Sequence, residues 1–310
     1  MHTDIGIVGC GLIGASWAGL FSANGLNVHA WDPSQSARES FVLRANKVAS
    51  ELWVRELCPT GRVGTIAIHD SVSGVARRSS FIQENAPEDA SLKRQLFRAI
   101  EEEATLLTTI ASSTSSFAWP DIFSDLKHPE RCITAHPFNP PHLMPLVEIY
   151  GPSSDIVSDA ANFYRSIGRV PVLLKRPAVG HIANRLASAL WREAVYMVAE
   201  DIADVESIDA ALIHGPGLRW STVGAHMAYH LGGGPGGIEH YLKHLGPSQE
   251  RRWSTLGHPT LTPSVCEKIV EGISREAGGR TIQELEVKRD RNLAAVLKAR
   301  KLGDVERQEE

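Results

Sequence analysis

The chain has 310 residues, 43% of them hydrophobic and 22% charged, which is the composition of a globular protein long enough for two domains. A formal net charge of −4 and a pI near 6.4 exclude a basic surface built for nucleic acid or for an acidic membrane. Four widely spaced cysteines without a CxxC pair, no secretory-leader pattern and no apolar run of about 18 residues predict a soluble, cytoplasmic protein with reduced thiols and no membrane span.

Residues 5–32 predict a strand, a glycine-rich turn, a helix over residues 12–24 and a second strand ending at Asp32. The GxGxxG glycines of the turn are Gly9, Gly11 and Gly14. In this context the motif predicts a dinucleotide site, with the first helical turn at Leu12 and Ile13 facing a pyrophosphate. Asp32 would bond the ribose hydroxyls and repel a 2′-phosphate, which predicts NAD as the cofactor. A packing role for the glycines alone is the alternative.

Strand patterns alternate with helical ones beyond this motif. Further strands are predicted over residues 65–70, 79–85, 105–113, 132–137, 143–149 and 170–174, and an amphipathic helix over residues 88–104. This order predicts an α/β fold with a Rossmann-like, doubly wound, mostly parallel sheet that binds ligands at the carboxyl ends of its strands. Four polar residues follow such strands and are expected to converge at that edge: Asp32, Glu84, Ser115 and His136.

The pattern becomes helical after residue 176, with predicted helices over residues 180–203, 263–277 and 281–301. We therefore predict a dinucleotide-binding domain over residues 1–176 and an all-helical domain over residues 177–310 for substrate binding and dimerisation. The glycine-rich residues 231–237 predict a mobile loop, either plain or acting as a substrate lid.

The stretch ITAHPFNPPHLMPLVEIYG, residues 133–151, places a histidine at the end of one apolar run and a carboxylate inside the next. Imidazole suits removal of a hydroxyl proton near neutral pH, and a carboxylate on the neighbouring strand would fix its orientation and tautomer. The stretch therefore predicts His136 as a general base and Glu148 as its partner. A histidine satisfied at a strand end and a carboxylate at a strand margin are the alternatives.

The whole chain resembles the L-3-hydroxyacyl-CoA dehydrogenase family, most closely the branch of lambda-crystallin (L-gulonate 3-dehydrogenase) and carnitine 3-dehydrogenase. The resemblance lies in GxGxxG with Asp32, QENAPEDASLKRQLF, IASSTSS, HPFNPPHLMPLVE and GHIANRL. It implies NAD-dependent oxidation of an L-3-hydroxy acid, a homodimer, and the dyad described above. It also implies that Ser115 and Asn184 bond the reacting substrate oxygen, although Ser115 could instead cap a helix and Asn184 could pack within one. The resemblance further implies that Glu84 and the backbone around it line the nicotinamide side of the cofactor, and Ser113 is a further candidate for cofactor binding.

The substrate itself is less clearly indicated by the sequence. Residues 33–64 carry a single lysine, Lys47, so they lack a strong phosphate clasp for coenzyme A unless Arg77 and Arg78 provide one. A gulonate-, carnitine- or hydroxybutyrate-like free acid is therefore favoured, and a 3-hydroxyacyl-CoA is the alternative. A crystallin-like structural protein that retains NAD binding is the alternative of another class.

Two residues of the helical region are candidates for substrate binding. Arg219 could clamp a carboxylate, and Trp220 with Tyr229 could face a quaternary ammonium. Surface and packing roles are the alternatives for these side chains. The spaced pairs His226 with His230 and His240 with His244 lack a third ligand nearby in sequence, so we expect no metal.

Overall fold

The computed structural model describes residues 2–58 and 61–306, with side chains up to residue 300. The ends of the predicted domains at residues 1 and 310, and residues 59–60 of the segment after the second strand, lie outside the described residues. The chain forms two compact units, Met1–Arg185 and Leu186–Glu310. The predicted domain boundary at residues 176 and 177 stays a prediction.

Unit 1 contains a sheet and the helices around it. Its strands are β1 (Asp4–Val8), β2 (Asn27–Trp31), β3 (Ile66–Ile68), β4 (Phe81–Glu84), β5 (Thr109–Ser112), β6 (Cys132–Pro137), β7 (Leu146–Tyr150) and β8 (Val170–Leu173). Its helices are α1 (Leu12–Ala23), α2 (Gln35–Val54), α3 (Val72–Ala76), α4 (Ala90–Glu103), α5 (Trp119–Phe123) and α6 (Ser154–Ser166). Helix α7 (Ala183–Ala199) begins in unit 1 and continues into unit 2.

The eight strands form one sheet in the order β3-β2-β1-β4-β5-β6-β7-β8. Every neighbouring pair is parallel except β6 with β7, so β7 and β8 run against the other six strands. The predicted Rossmann-like, mostly parallel α/β sheet is therefore confirmed. The carboxyl end of β6 and the beginning of β7 meet at one edge, which places residues from both strands beside the ends of β1, β2, β4 and β5.

Strand β1 at the centre of the sheet and helix α1 beside it are buried over most of their length. Ile5, Ile7 and Val8 of β1 are buried, and every residue of α1 from Gly14 to Ala23 is buried as well. The helix ends close to the predicted position because Gly25 has φ +81°, a left-handed conformation that glycine adopts without strain.

Unit 2 continues with helices. They are α8 (Val205–His214), α9 (Pro216–Trp220), α10 (Ala225–Gly232), α11 (Gly237–Trp253), α12 (Pro263–Ala277) and α13 (Ile282–Glu306). Within the described residues no strand follows β8, as the sequence predicts. Among these described helices, none has the length and apolar character needed to cross a bilayer.

Residues 231–237, predicted as a mobile loop, are mostly helical, and the alternative of a substrate lid stays a prediction. Helix α10 extends to Gly232, a 3₁₀ turn covers Gly234–Gly236, and α11 begins at Gly237. The chain reverses this sharply because Gly234 and Gly237 adopt φ +61° and +58°, and because a Cβ on Gly233 would lie 1.8 Å from a backbone oxygen. The glycines therefore serve a tight helix-to-helix turn.

Candidate active site

The glycine-rich loop between β1 and α1 leaves open space above the first turn of the helix. Gly9 has φ +98°, and a Cβ there would lie 2.7 Å from backbone atoms of Asn85. A Cβ on Gly14 would lie 2.0 Å from the carbonyl oxygen of Gly9. A Cβ on Gly11 would meet nothing in the described chain within 4 Å. The first and third glycines are thus required by the protein, whereas Gly11 leaves room that a phosphate can approach.

Asp32, just after β2, is bonded into the same loop. Its Oδ2 accepts from the backbone N–H of Cys10 at 2.8 Å and its Oδ1 from that of Ser34 at 2.8 Å. Each carboxylate oxygen keeps a further lone pair for a ribose hydroxyl. The N-terminus of α1 has no side-chain cap within the described chain, so the first turn at Leu12 and Ile13 offers amide donors. This donor and acceptor set fits a dinucleotide.

His136 and Glu148 are paired directly across the antiparallel strands β6 and β7. Both side chains are buried, and Nδ1 of His136 lies 2.9 Å from Oε2 of Glu148. Because a carboxylate can only accept, Nδ1 carries the proton and Nε2 keeps its lone pair. The turn between the strands is held by buried Arg169, whose Nη1 donates to the carbonyl oxygen of Pro141 at 3.0 Å. The structure therefore brings the two predicted dyad residues together.

The second carboxylate oxygen of Glu148 is held by the beginning of α7. Its Oε1 accepts from the backbone N–H groups of Ile182 at 2.7 Å and Ala183 at 2.9 Å. Burial alone would raise the pKa of Glu148, but the hydrogen bonds from His136 and the two amides hold it below its ordinary value. The predicted Asn184 is half-buried in the next position of α7, so it lies in the helical turn that bonds the dyad carboxylate.

Ser115 lies in the loop after β5, which is held by Glu88, a carboxylate that sequence analysis did not single out. Oε1 of Glu88 accepts from the Thr114 hydroxyl at 2.6 Å and from the backbone N–H of Ser115 at 2.8 Å. The N–H of Ser116 donates to the same oxygen at 2.7 Å. Burial alone would raise the pKa of Glu88, but these hydrogen bonds hold it below its ordinary value. Ser115 does not cap α5, whose N-cap is Ala118.

Glu84, predicted to line the nicotinamide side of the cofactor, lies at the end of β4. It is fully buried, with Oε1 at 2.7 Å from Nζ of Lys93 and accepting the N–H of Ala86 at 2.6 Å. These contacts engage Oε1 of Glu84 within the protein, and the predicted contact of Glu84 and its backbone with the nicotinamide side of the cofactor stays a prediction. Ser113 is half-buried and donates its hydroxyl to Oδ1 of Asn85 at 2.8 Å, and its cofactor contact stays a prediction.

Sequence analysis also missed a second histidine at the dyad. His181 is buried, and its ring stacks on His136 with centroids 4.9 Å apart and 17° between the planes. Its Nε2 lies 3.0 Å from the carbonyl oxygen of Thr114. The residue is part of the GHIANRL motif, but sequence analysis assigned it to the predicted helix over residues 180–203 and gave it no role. The helix begins only at Ala183, because His181 itself has φ +48°.

The predicted substrate residues Arg219 and Trp220 lie in α9 of unit 2, and both are exposed. Tyr229 lines a cavity of about 530 Å³ at α10 and α11 together with Tyr241 and Trp253. Trp220 is not among the residues that line this cavity, and the possibility that Trp220 and Tyr229 face a quaternary ammonium stays a prediction. In the part of the chain that the structure describes, no three His, Cys, Asp or Glu side chains gather as a metal site.

Three features define a dinucleotide-dependent dehydrogenase: a Rossmann sheet with an open GxGxxG loop, an acid after β2, and a buried imidazole–carboxylate pair. The family model described as 3-hydroxyacyl-CoA dehydrogenase, NAD binding domain, matches residues 4–177, and the model of the C-terminal domain of the same family matches residues 180–289. The chain therefore belongs to the 3-hydroxyacyl-CoA dehydrogenase family. It is an NAD-dependent oxidoreductase that acts on CH–OH groups.

Curated relatives match almost the full length of the chain. An L-carnitine dehydrogenase of Nocardiopsis dassonvillei is 38% identical over 312 residues, covering 98% of this chain and 93% of the relative. An L-carnitine dehydrogenase of Streptomyces griseus subsp. griseus is 37% identical, covering 95% and 89%. The crystal structure of an NAD-dependent dismutase, 5-formyl-3-hydroxy-2-methylpyridine 4-carboxylic acid 5-dehydrogenase, is similar with a TM-score of 0.83 and 26% identity over 96% of this chain and 98% of that chain. The relatives match the carnitine branch within the family.

Proposed function

We propose that the chain oxidises the 3-hydroxyl of a small L-3-hydroxycarboxylate to the 3-keto acid, with His136 as the general base and Glu148 as its partner. The observation that carries the proposal is the buried contact of 2.9 Å between Nδ1 of His136 and Oε2 of Glu148. A carnitine-like substrate is favoured over gulonate- and hydroxybutyrate-like acids because relatives of 37–38% identity are named L-carnitine dehydrogenase.

Each dyad atom has one task in the proposed reaction. The Nδ1–H of His136 donates a hydrogen bond to Glu148, which leaves the lone pair on Nε2 to take the proton of the substrate hydroxyl. Ionised Glu148 then stabilises the imidazolium. Ser115 and Asn184 donate hydrogen bonds to the reacting oxygen and orient it. NAD supplies the hydride acceptor when bound.

The cations nearest the cofactor loop support a free acid over a coenzyme A ester. Lys47 is the only lysine of its segment, and Arg44 already donates to the carbonyl oxygen of Cys10 at 2.7 Å. Arg77, one of the two residues of the alternative clasp, pairs with Glu103 at 2.7 Å. A phosphate clasp needs cations that can leave such partners, so the acyl-CoA alternative is the less favoured one.

We also propose a homodimer in the cytoplasm. Helix α7 exposes Leu186, Leu190 and Trp191 at 68%, 36% and 55%, side chains that a second copy would cover. The four cysteines are free thiols, which suits a reducing compartment. Light scattering after size exclusion tests the dimer: Trp191→Glu should yield monomer, and a monomeric unmodified protein would reject the proposal.

The function is tested by NAD reduction with L-carnitine, L-gulonate, L-3-hydroxybutyrate and 3-hydroxybutyryl-CoA. We expect turnover of a free acid, L-carnitine above all, and a loss of about 10²- to 10⁴-fold in kcat for His136→Asn. His2→Asn is the matched control, because His2 is a hydrogen-bonded histidine at the start of β1, away from the carboxyl ends of the strands. Turnover of the coenzyme A ester alone would overturn the substrate class, and an active His136→Asn would overturn the base.

A further inference from the structure

His181 occupies a constrained position between the proposed base and the first turn of α7. Only 2% of the residue is exposed, and its φ of +48° is uncommon for a residue with a side chain. Such a conformation persists where the surrounding contacts determine it. The stacked ring of His136, at 4.9 Å between centroids, is one of these contacts.

The hydrogen bonds around His181 connect it to all parts of the proposed site. A carbonyl oxygen only accepts, so Nε2 of His181 carries the proton in its 3.0 Å contact with Thr114, the residue before Ser115. The next two residues along the chain donate their N–H groups to Glu148 at 2.7 and 2.9 Å. One side chain thus touches the base, borders the loop that carries Ser115, and anchors the segment that holds the dyad carboxylate.

The charged and titratable groups around His181 determine its protonation state. His136 approaches from β6, Glu148 from β7 and Glu88 from the segment before α4. Burial lowers the pKa of His181 most, and a proton on His136 would oppose a second one nearby. The two carboxylates act in the other direction but are already engaged by hydrogen bonds. Nδ1 of His181 has no partner among the described residues, as expected for a neutral ring whose one proton sits on Nε2.

The geometry points to His181 as a neutral positioning residue for the oxidation proposed above, a residue that fixes the His136 ring and the Ser115 loop relative to each other. The inference rests on the proposed function, because it takes His136 as the base. It assigns no proton transfer to His181 itself. Its expected effect is on the rate of the chemical step, since a base displaced by a fraction of an ångström loses its alignment with the substrate hydroxyl.

Two variants separate the ring from the hydrogen bond. His181→Phe keeps an aromatic ring beside His136 but removes the donor to Thr114. His181→Gln removes the ring but carries an amide N–H at a position similar to that of Nε2. With L-carnitine and NAD, we expect kcat to fall about 10- to 100-fold in His181→Phe, with the KM for NAD within twofold of the unmodified protein.

The rescue variant and the controls decide between a positioning and a merely structural role. His181→Gln should recover most of the kcat lost in His181→Phe, and the midpoint of its kcat/KM profile against pH should match that of the unmodified protein. His2→Phe, the same change at a histidine remote from the dyad, should keep kcat within twofold.

Three outcomes would overturn the inference: His181→Phe with unchanged kcat, both variants losing kcat and thermal stability in parallel, or a shifted pH midpoint in His181→Gln. The failure of the proposed function is distinguishable, because it would appear as activity in His136→Asn, independently of His181.

Discussion

Replacing Glu148 by glutamine tests the dyad with almost no change in volume. Oε1 of Glu148 accepts two backbone N–H groups, from Ile182 and Ala183, while Oε2 accepts from Nδ1 of His136. An amide has only one oxygen, so it can satisfy the two backbone donors or the imidazole but not both. Two hydrogen bonds outweigh one, at about 0.5–1.5 kcal/mol each, and the amide NH2 then faces His136. Nδ1 must become an acceptor, and the ring proton moves to Nε2.

A histidine in that tautomer has no lone pair left for the substrate hydroxyl. The corresponding carboxylate-to-amide change in the serine protease triad lowers kcat by about 10⁴, and the same reason applies here, so we expect a loss of about 10³- to 10⁴-fold. At about 1.4 kcal/mol per factor of ten, this loss corresponds to roughly 4–5.5 kcal/mol of transition-state stabilisation.

The assay is initial-rate NAD reduction with L-carnitine, combined with NADH fluorescence titration and thermal unfolding. Glu148→Gln should keep its affinity for NADH within about twofold, since the dyad does not hold the cofactor. Glu101→Gln is the matched control, because Glu101 is also a buried carboxylate that accepts two backbone N–H groups, from Lys127 at 2.9 Å and His128 at 2.6 Å. A Glu148→Gln variant that retains kcat within threefold of the unmodified protein would refute the tautomer argument.

Three further predictions concern the cofactor loop, cofactor choice and acid stability. Gly11→Ala should keep the melting temperature and raise the dissociation constant for NAD at least about tenfold. Gly14→Ala, whose Cβ would lie 2.0 Å from a backbone oxygen, should instead lower the free energy of unfolding by about 1–3 kcal/mol. Equal melting temperatures of the two variants would contradict this. Asp32→Ser should raise the KM for NAD about 10- to 100-fold and improve the use of NADP, measured as the ratio of kcat/KM values; an unchanged ratio would reject the role of the carboxylate. Burial and the neighbouring His29 lower the pKa of His69 in the folded chain. The unfolded chain therefore takes up a proton at about pH 6.5, where the folded chain does not yet take one up. The contribution of His69 to stability is therefore complete above that pH and decreases as the pH falls below it. In urea unfolding from pH 7.5 to 5.5, the free energy of unfolding of His69→Gln should depend less steeply on pH than that of the unmodified protein. An equally steep dependence would count against this explanation.

Most of the sheet and the central pair of the site follow from local patterns in the sequence. A glycine-rich turn between an apolar strand and a buried helix predicts the open loop at Gly11, because the space there depends only on the backbone geometry of the turn. His136 and Glu148 are also predictable, since each sits in an apolar run and a proline-rich turn joins the two runs. Their direct pairing depends on β7 running antiparallel to β6, which no residue of the stretch specifies by itself.

The contacts that sequence analysis missed all depend on tertiary packing. Glu88 and Glu84 lie four residues apart in one motif and both pair with Lys93, yet Glu88 is partly exposed and holds the Ser115 loop while Glu84 is fully buried. Nothing in the order of residues distinguishes them, because both reach the same region of the fold: Glu84 accepts from Ser112 at the end of β5, and Glu88 accepts from the loop that follows. His181 was missed for a related reason: the helical periodicity after it masks the left-handed conformation that turns its ring onto His136.

The hydrogen bonding of Glu88, which sequence analysis missed, is similar to that of Glu148 in the predicted dyad. Glu148, which is buried, and Glu88, which is partly exposed, are both carboxylates whose charge is stabilised by backbone N–H groups. Those groups belong to the segments that carry the other candidate residues. The amides that hold Glu148 precede Asn184, and those that hold Glu88 include that of Ser115. An ionised carboxylate without these donors would be costly to bury, so the charge and the positions of the two segments depend on each other. Hydrogen bonds to these two carboxylates fix the segments on either side, and neutral His181, which adds no charge of its own, can therefore be packed against Thr114 and His136.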